Sequence, residues 1–438
     1  MRIFLASLLS VLVIHGSYSQ VNRQYQNLRT YIKTAKLVGY DSSLDHVEYY
    51  PGGSLNYFYP LYQLIREEER FRKIYPGTQY DEMLSEALSF CGDYGSALLT
   101  QALPTDSLDN ATRTQISRTV ANLKDIENVD ARKFIAFVSK DFQVIMVNEA
   151  PNKPLHRAFT VSLLEDLYKR GFHYLALEML SNYSSHSLDK LTPYTGYYTT
   201  EPVAGEMVRA ALDIGFHLIS YEDTAANRHT PNERDSIQAS NIYQVLKKDP
   251  SAKILVHATY GHIAEKNLGD GFFPMAMMFK KISGINPLTI DQTDMTEAGN
   301  INYGRVLYLS YIQKYQLNSP SIALFNGETV NITNNSINDL SVIHPLTVYR
   351  DGRPIWLSLA GRRQPLYVKP ANKNTFFVQA YYQYESFGNK PGQVIPADQT
   401  YIPTNKNNYL LYLHRGKYII IFRDMSYKIL STLHIEVN

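Results

Sequence analysis

Between about residues 131 and 295 the chain switches repeatedly between two hydrophobic spacings. Short unbroken apolar runs, such as 144–147 in QVIMVNE, are followed by stretches whose apolar residues recur every three or four positions. LHRAFTVSLLEDLYKRG places Phe159, Leu163, Leu164 and Leu167 on one helical face and stops at Gly171. EPVAGEMVRAALDIG repeats the scheme with Val203, Met207, Val208, Ala211 and Leu212, and stops at Gly215. Thr230-Pro231-Asn232-Glu233 is a capping box with proline at the first helical position, and predicts a helix to about Lys248. PMAMMFKKISG predicts another helix, while HYLALEM, FHLISYE, AKILVHA and INPLTIDQ predict four further strands. Continuous apolar strands separated by helices of roughly 12–15 residues predict an α/β fold, a parallel sheet with helices on both faces.

The flanks read differently. Residues 20–130 carry helical signals: LYQLIREEERFRKIYP ends at a proline, and DEMLSEALSF followed by GDYGSALLTQAL predicts a helical hairpin. Residues 134–138 fit either strand or helix. After about residue 325 the polar, turn-rich NGETVNITNNSIND precedes segments rich in β-branched and aromatic residues, with a turn at Asp351-Gly352. The expected order is a signal peptide over 1–19, a helical segment over 20–130, an α/β domain over 131–325 and a small β-rich C-terminal domain over 326–438, sandwich-like in character. The signal peptide rests on Arg2, the apolar stretch 3–14 and the small residues Ser17 and Ser19, a run too short to span a bilayer. It predicts export to the periplasm, the cell surface or the medium. No later stretch reaches the ~20 apolar residues of a membrane span.

Composition narrows the function classes. A formal charge of +2 and no basic run offer nothing for nucleic acid. Cys91 is the single cysteine, so no internal disulfide forms, and its apolar surroundings make it a core residue. The 35 tyrosines provide many aromatic faces without specifying a ligand.

The chemistry gathers at strand ends, where an open parallel sheet binds its ligand. The first strand ends in Glu149, the second in Glu178, the third in Tyr221-Glu222 and the fourth in His257, with His262 five residues on. Two helices open on cations: His156-Arg157 in one, Arg234 beside Asp235 in the other. A cation there opposes the helix dipole, so a nearby carboxylate is expected to compensate, Glu149 for Arg157. Tyr197 and Glu201, in TGYYTTEP, fall in a neighbouring loop and are expected to line the same pocket.

VNEAPNKPLHR, a strand ending LALEM, NERD opening a helix, and LVHATYGHIAE together resemble the erythromycin-esterase, ChaN and Tiki superfamily over about residues 140–295. The resemblance implies that Glu149 is the motif carboxylate, Glu178 the strand-end glutamate, Arg234 the arginine of an Arg-Asp pair and His262 the late histidine. It also marks a departure: Pro151 and Asn152 stand where the family carries a histidine after the first glutamate. Its members include esterases, metal-dependent proteases and haem-binding proteins, so fold alone does not select the chemistry.

The expectation is an exported hydrolase acting on an ester or amide of a small molecule or peptide. His262 or His156 would be the general base on water, a glutamate would orient it, and Arg157 or Arg234 would stabilise the oxyanion. The absence of a G-x-S-x-G elbow disfavours a covalent serine. A divalent metal stays open from the three glutamates and two histidines, without H-E-x-x-H or C-x-x-C spacing to lock it. The alternative is a non-catalytic haem or small-ligand binding protein with a degenerate site.

Overall fold

In the computed structural model, which describes residues 21–35, 37, 39–101, 108–182, 188–269, 271–299, 304–333, 336–386, 392–404 and 406–438, the apolar runs of the middle region pair into one sheet. The expected signal peptide lies outside the described residues. Strands β1 (Val144–Glu149), β2 (Phe172–Leu177), β3 (His217–Ser220), β4 (Lys253–Thr259), β5 (Leu288–Asp291) and β6 (Leu340–Ser341) lie in the order β3-β2-β4-β1-β5-β6. All neighbouring pairs are parallel.

The connecting helices include α1 (Pro154–Tyr168), α2 (Pro202–Ile214), α3 (Pro231–Lys248) and α4 (Met275–Ser283). Strand alternation divides the apolar residues between two faces. Val144, Met146, Ile254, Val256 and Ala258 meet Ala239, Ile242 and Leu246 of α3 and Met275, Ala276 and Phe279 of α4. The intervening residues face the other way, where Thr160 of α1 meets His257 of β4. Thr230 and Glu233 form the predicted capping box at α3. The ambiguous stretch 134–138 is helical, within Ala131–Val138, with Asp130 accepting the Lys133 N–H as its cap.

The helix stops predicted at glycines hold. Gly215 follows α2 with φ +108°, and a Cβ there would lie 2.7 Å from the Tyr168 hydroxyl oxygen. Gly215→Ala is therefore expected to cost about 1–3 kcal/mol of stability, measured by thermal unfolding.

Contacts group the chain into two units: residues 1–103, 201–203 and 347–438 in one, and 104–200 with 204–346 in the other. The helices before residue 103 thus group with the C-terminal β region rather than forming their own segment. The α/β unit also runs past the expected limit at residue 325, because β6 adds a strand to the sheet beyond it. Only Leu340 and Ser341 pair, with Ile290 and Asp291, so β6 is too short to show a periodic pattern.

In the other unit, Gln79–Phe90 and Tyr94–Gln101 form the predicted hairpin. Gly92 turns it at φ +78°, and a Cβ there would fall 1.9 Å from the Gln399 carbonyl oxygen. Cys91 is buried, its thiol donating to the Tyr57 carbonyl. The C-terminal region holds a four-stranded antiparallel sheet in the order Asp398–Thr400, Phe377–Tyr382, Gly416–Arg423, Ile429–Val437, and a two-stranded sheet of Gln364–Val368 with Tyr409–Leu413. The two share one core, in which Val378, Ala380 and Ile420 meet Leu411 and Leu413. Asp351 and Gly352, both at positive φ, make the predicted turn. Among the described residues no helix is long and apolar enough to cross a membrane.

Candidate active site

Glu149 ends β1 on the face that α1 covers, and Arg157 lies in the first turns of that helix. The guanidinium donates from Nε to Glu149 Oε2 at 2.7 Å and from Nη2 to Oε1 at 3.1 Å. Nη2 also donates to the Pro151 carbonyl at 2.8 Å. Both side chains are buried, Arg157 completely. His257, from the adjacent β4, brings Nε2 to 3.1 Å from Glu149 Oε2, while its Nδ1 lies 3.1 Å from the Thr160 hydroxyl. Burial by itself would push the Glu149 carboxyl up. The positive charge of Arg157 and the contact with His257 outweigh it and hold the pKa down at about 2. The expected compensation of a cation at the head of α1 is thus met by Glu149.

A second cluster forms around Arg234, in the first turn of α3. Nε donates to Glu222 Oε1 at 3.0 Å, and Nη2 donates to Glu178 Oε1 at 2.7 Å and to Glu222 Oε2. Glu178 is held from β4 as well, accepting the Thr259 N–H at 2.6 Å and the Thr259 hydroxyl at 3.1 Å. Nη1 of Arg234 lies 3.1 Å from His262 Nε2. His262 Nδ1 lies 2.8 Å from Asp235 Oδ2, which also accepts the Met275 N–H at 2.8 Å. A guanidinium only donates, so Nε2 of His262 is the acceptor and the imidazole proton sits on Nδ1, toward Asp235. Burial opposes a charge on His262, but the Asp235 hydrogen bond and the nearby Glu178 outweigh it and raise the pKa above the ordinary histidine value.

Both clusters border one cavity of about 350 Å³ at the carboxyl ends of β1, β2 and β4. Glu149, Glu178, Glu222, Arg234 and His257 line it, with Tyr198. That volume suits a small polar ligand. His262 adjoins the cavity through Arg234 rather than lining it.

Three expected members are elsewhere. His156 is fully buried and its Nδ1 accepts the Ala150 N–H at 3.0 Å, its ring 5.5 Å from that of His344. Burial, with His344 nearby, takes its pKa well below the histidine range. Arg157 occupies the direction toward Glu149, and its neighbour in the helix points about 100° away. Tyr197 packs edge-on against Tyr198 and is half exposed, outside the cavity. Glu201 groups with the other unit, where its buried carboxylate accepts the Val203 N–H and the Tyr94 hydroxyl, each at 3.0 Å. It serves the start of α2, where a carboxylate satisfies an otherwise free helix N–H.

Asp235, Thr160 and Thr259 hold the functional groups and were not singled out from the sequence. Asp235 had a signal, its place in the Arg-Asp pair; the two threonines had none. Asn148, beside Glu149, faces away and bonds Asp291 Oδ1 at 2.7 Å, tying β1 to β5. Among the described residues no group of three or more His, Cys, Asp or Glu side chains is arranged to hold a metal ion.

No protein-family model matches the chain, and no curated protein matches it. Among solved structures, the type III effector HopBA1 is similar at 12% identity and TM-score 0.32, over 50% of this chain and 96% of that one. A bacterial protein toxin is similar at 14% identity and TM-score 0.29, over 54% and 48%. RRSP, a MARTX toxin effector domain from Vibrio vulnificus CMCP6, is similar at 12% identity and TM-score 0.27, over 66% and 48%. The chain therefore spans about half the length of the last two. Likeness at this level says nothing of activity.

Proposed function

We propose that this cavity is the active site of an exported hydrolase that attacks an ester or amide with activated water, in a divergent member of the erythromycin-esterase, ChaN and Tiki superfamily. One observation carries the reading: the line Asp235–His262–Arg234 at the edge of a cavity rimmed by strand-end glutamates. A carboxylate on one imidazole nitrogen orients the ring and favours the imidazolium formed when the other nitrogen takes a proton. That other nitrogen, Nε2 of His262, accepts from Arg234 Nη1 and exchanges that donor for the attacking water before it takes the proton. Arg234, held by Glu178 and Glu222, supplies fixed positive charge for the oxyanion that water addition creates. His262 is thus the base, Asp235 its orienting carboxylate, and the buried Glu149–Arg157–His257 cluster the rigid wall beside them. Deprotonated Glu149 adds negative potential, which favours neutral or cationic substrates.

The test is a panel of aryl esters, lactones and peptide amides incubated with the wild-type chain and with Arg234→Ala. Turnover is expected for the wild type, with kcat/KM reduced about 100-fold in the variant. No turnover across the panel, or equal rates for the two proteins, would remove the proposal.

A binding-only reading draws on Pro151, which borders the cavity at the position where the family carries a histidine. It predicts saturable haem uptake, visible as a Soret band, without turnover. The carboxylate-lined walls and the modest volume favour the hydrolase.

A further inference from the structure

A cavity of about 840 Å³ in the unit that holds the N-terminal helices and the C-terminal β region lies well away in sequence from every strand-end residue discussed above. Its floor is aromatic and fixed. Phe376 and Tyr401 stack with centroids 5.5 Å apart and planes 4° from parallel. Tyr401 is anchored by its hydroxyl bond to buried Asp93, and Phe58 packs edge-on under Phe376 at 5.5 Å. Tyr31 stands at 73° to Phe376, 6.2 Å away, and is 50% exposed. Three cations line the same cavity: Arg23, Lys369 and Lys373, all exposed. No carboxylate is among its described lining residues. Asn27 and Asn372 add planar amides that both donate and accept.

We propose that this cleft binds an acidic saccharide, a glycan segment carrying carboxylate or sulfate groups. A sugar ring presents an apolar C–H face and a polar hydroxyl edge. The rigid aromatic floor takes the face at little entropic cost, because its rings are already held. The amides take the hydroxyls. Lysine and arginine without a competing carboxylate take the acid groups, through charge-assisted hydrogen bonds. A single-stranded nucleic acid would also stack on aromatic rings, but it needs a basic track along its phosphates. Three cations in a chain of net charge +2 do not make one.

The experiment is calorimetric titration of the full chain with hexagalacturonate and a heparin hexasaccharide, with maltohexaose and an oligothymidylate as counterparts. Saturable binding of at least one acidic sugar is expected, with maltohexaose about tenfold weaker or more. Tyr31→Ala and the double variant Lys369→Ala/Lys373→Ala should each weaken the acidic sugar about tenfold. These side chains are exposed, so both variants are expected to keep the wild-type circular dichroism spectrum. No binding of either acidic sugar overturns the proposal. So does equal binding of maltohexaose, tighter binding of oligothymidylate, or affinity unchanged in both variants.

Discussion

Glu149→Ala is expected to destabilise the α/β unit by about 3–5 kcal/mol, the cost of removing one partner from a buried ion pair. Arg157 would stay fully buried with its charge and keep the Pro151 carbonyl, but lose the carboxylate that meets two of its nitrogens. Amide hydrogen exchange in β1 and β4 reads the change directly: protection should fall by about 10²-fold or more. Glu149→Gln keeps the shape and a carbonyl acceptor, so its loss should be smaller. The pair variant Glu149→Leu/Arg157→Met should recover much of the stability, since replacing both charges by apolar groups removes the desolvation cost as well as the attraction. A single-variant loss that the pair does not recover would mean that Glu149 acts through some other contact.

The same pair has an acid limit of known sign. The folded-state pKa of Glu149 is depressed to about 2 from an ordinary value of 4.5, so its stabilisation is full above pH 4.5 and is lost as pH falls toward 2. Wild-type protection in β1 should therefore decline across that window. In Glu149→Gln this part of the decline should vanish.

Much of this site is legible from residues in order. Strand-end placement follows from where each apolar run stops, so Glu149, Glu178 and Glu222 could be assigned to one rim before any coordinates. His257, expected to end its strand, lies inside β4, which runs on to Thr259, and reaches the cavity from there. The Glu149–Arg157 pair followed from the cost of a cation at a helix start. What could not be read was rotation about helix axes. His156 and Arg157 are adjacent, as are Arg234 and Asp235, and neighbours on a helix point about 100° apart. The sequence pattern does not say which of the two turns to the strand end. In α1 it is Arg157, leaving His156 buried behind it. In α3 both matter, Arg234 toward the cavity and Asp235 beneath it toward His262. Glu201 illustrates the other limit: a carboxylate just before a helix serves either a pocket or the helix's own free N–H groups, and here it serves the helix. The grouping of early helices with late strands was equally hidden, because it depends on contacts across hundreds of positions, such as Tyr62 donating to the Met425 carbonyl at 2.7 Å.

Asp235→Asn should lower kcat/KM about 10²- to 10⁴-fold on any substrate that the wild type turns over, with little change in fold. Asp235 Oδ2 accepts two hydrogens, from Met275 N and from His262 Nδ1. An asparagine with its carbonyl oxygen in that place still accepts both, and the imidazole proton stays on Nδ1. What is lost is the carboxylate's charge, which favoured the imidazolium that forms when Nε2 takes a proton. The base is then weakened although every heavy atom stays in place. His262→Ala should lose a similar factor, and the double variant should lose little more, because the two residues act as one unit. The pH profile separates orientation from mere packing. In the wild type the rate should rise with pH through the raised pKa of His262, since only the neutral ring accepts a proton. With Asp235 neutralised the remaining activity should lose that limb or move it to lower pH, because the carboxylate that favoured the imidazolium is gone. An unshifted limb in an active Asp235→Asn protein would assign the titration to another group and take His262 out of the base's role.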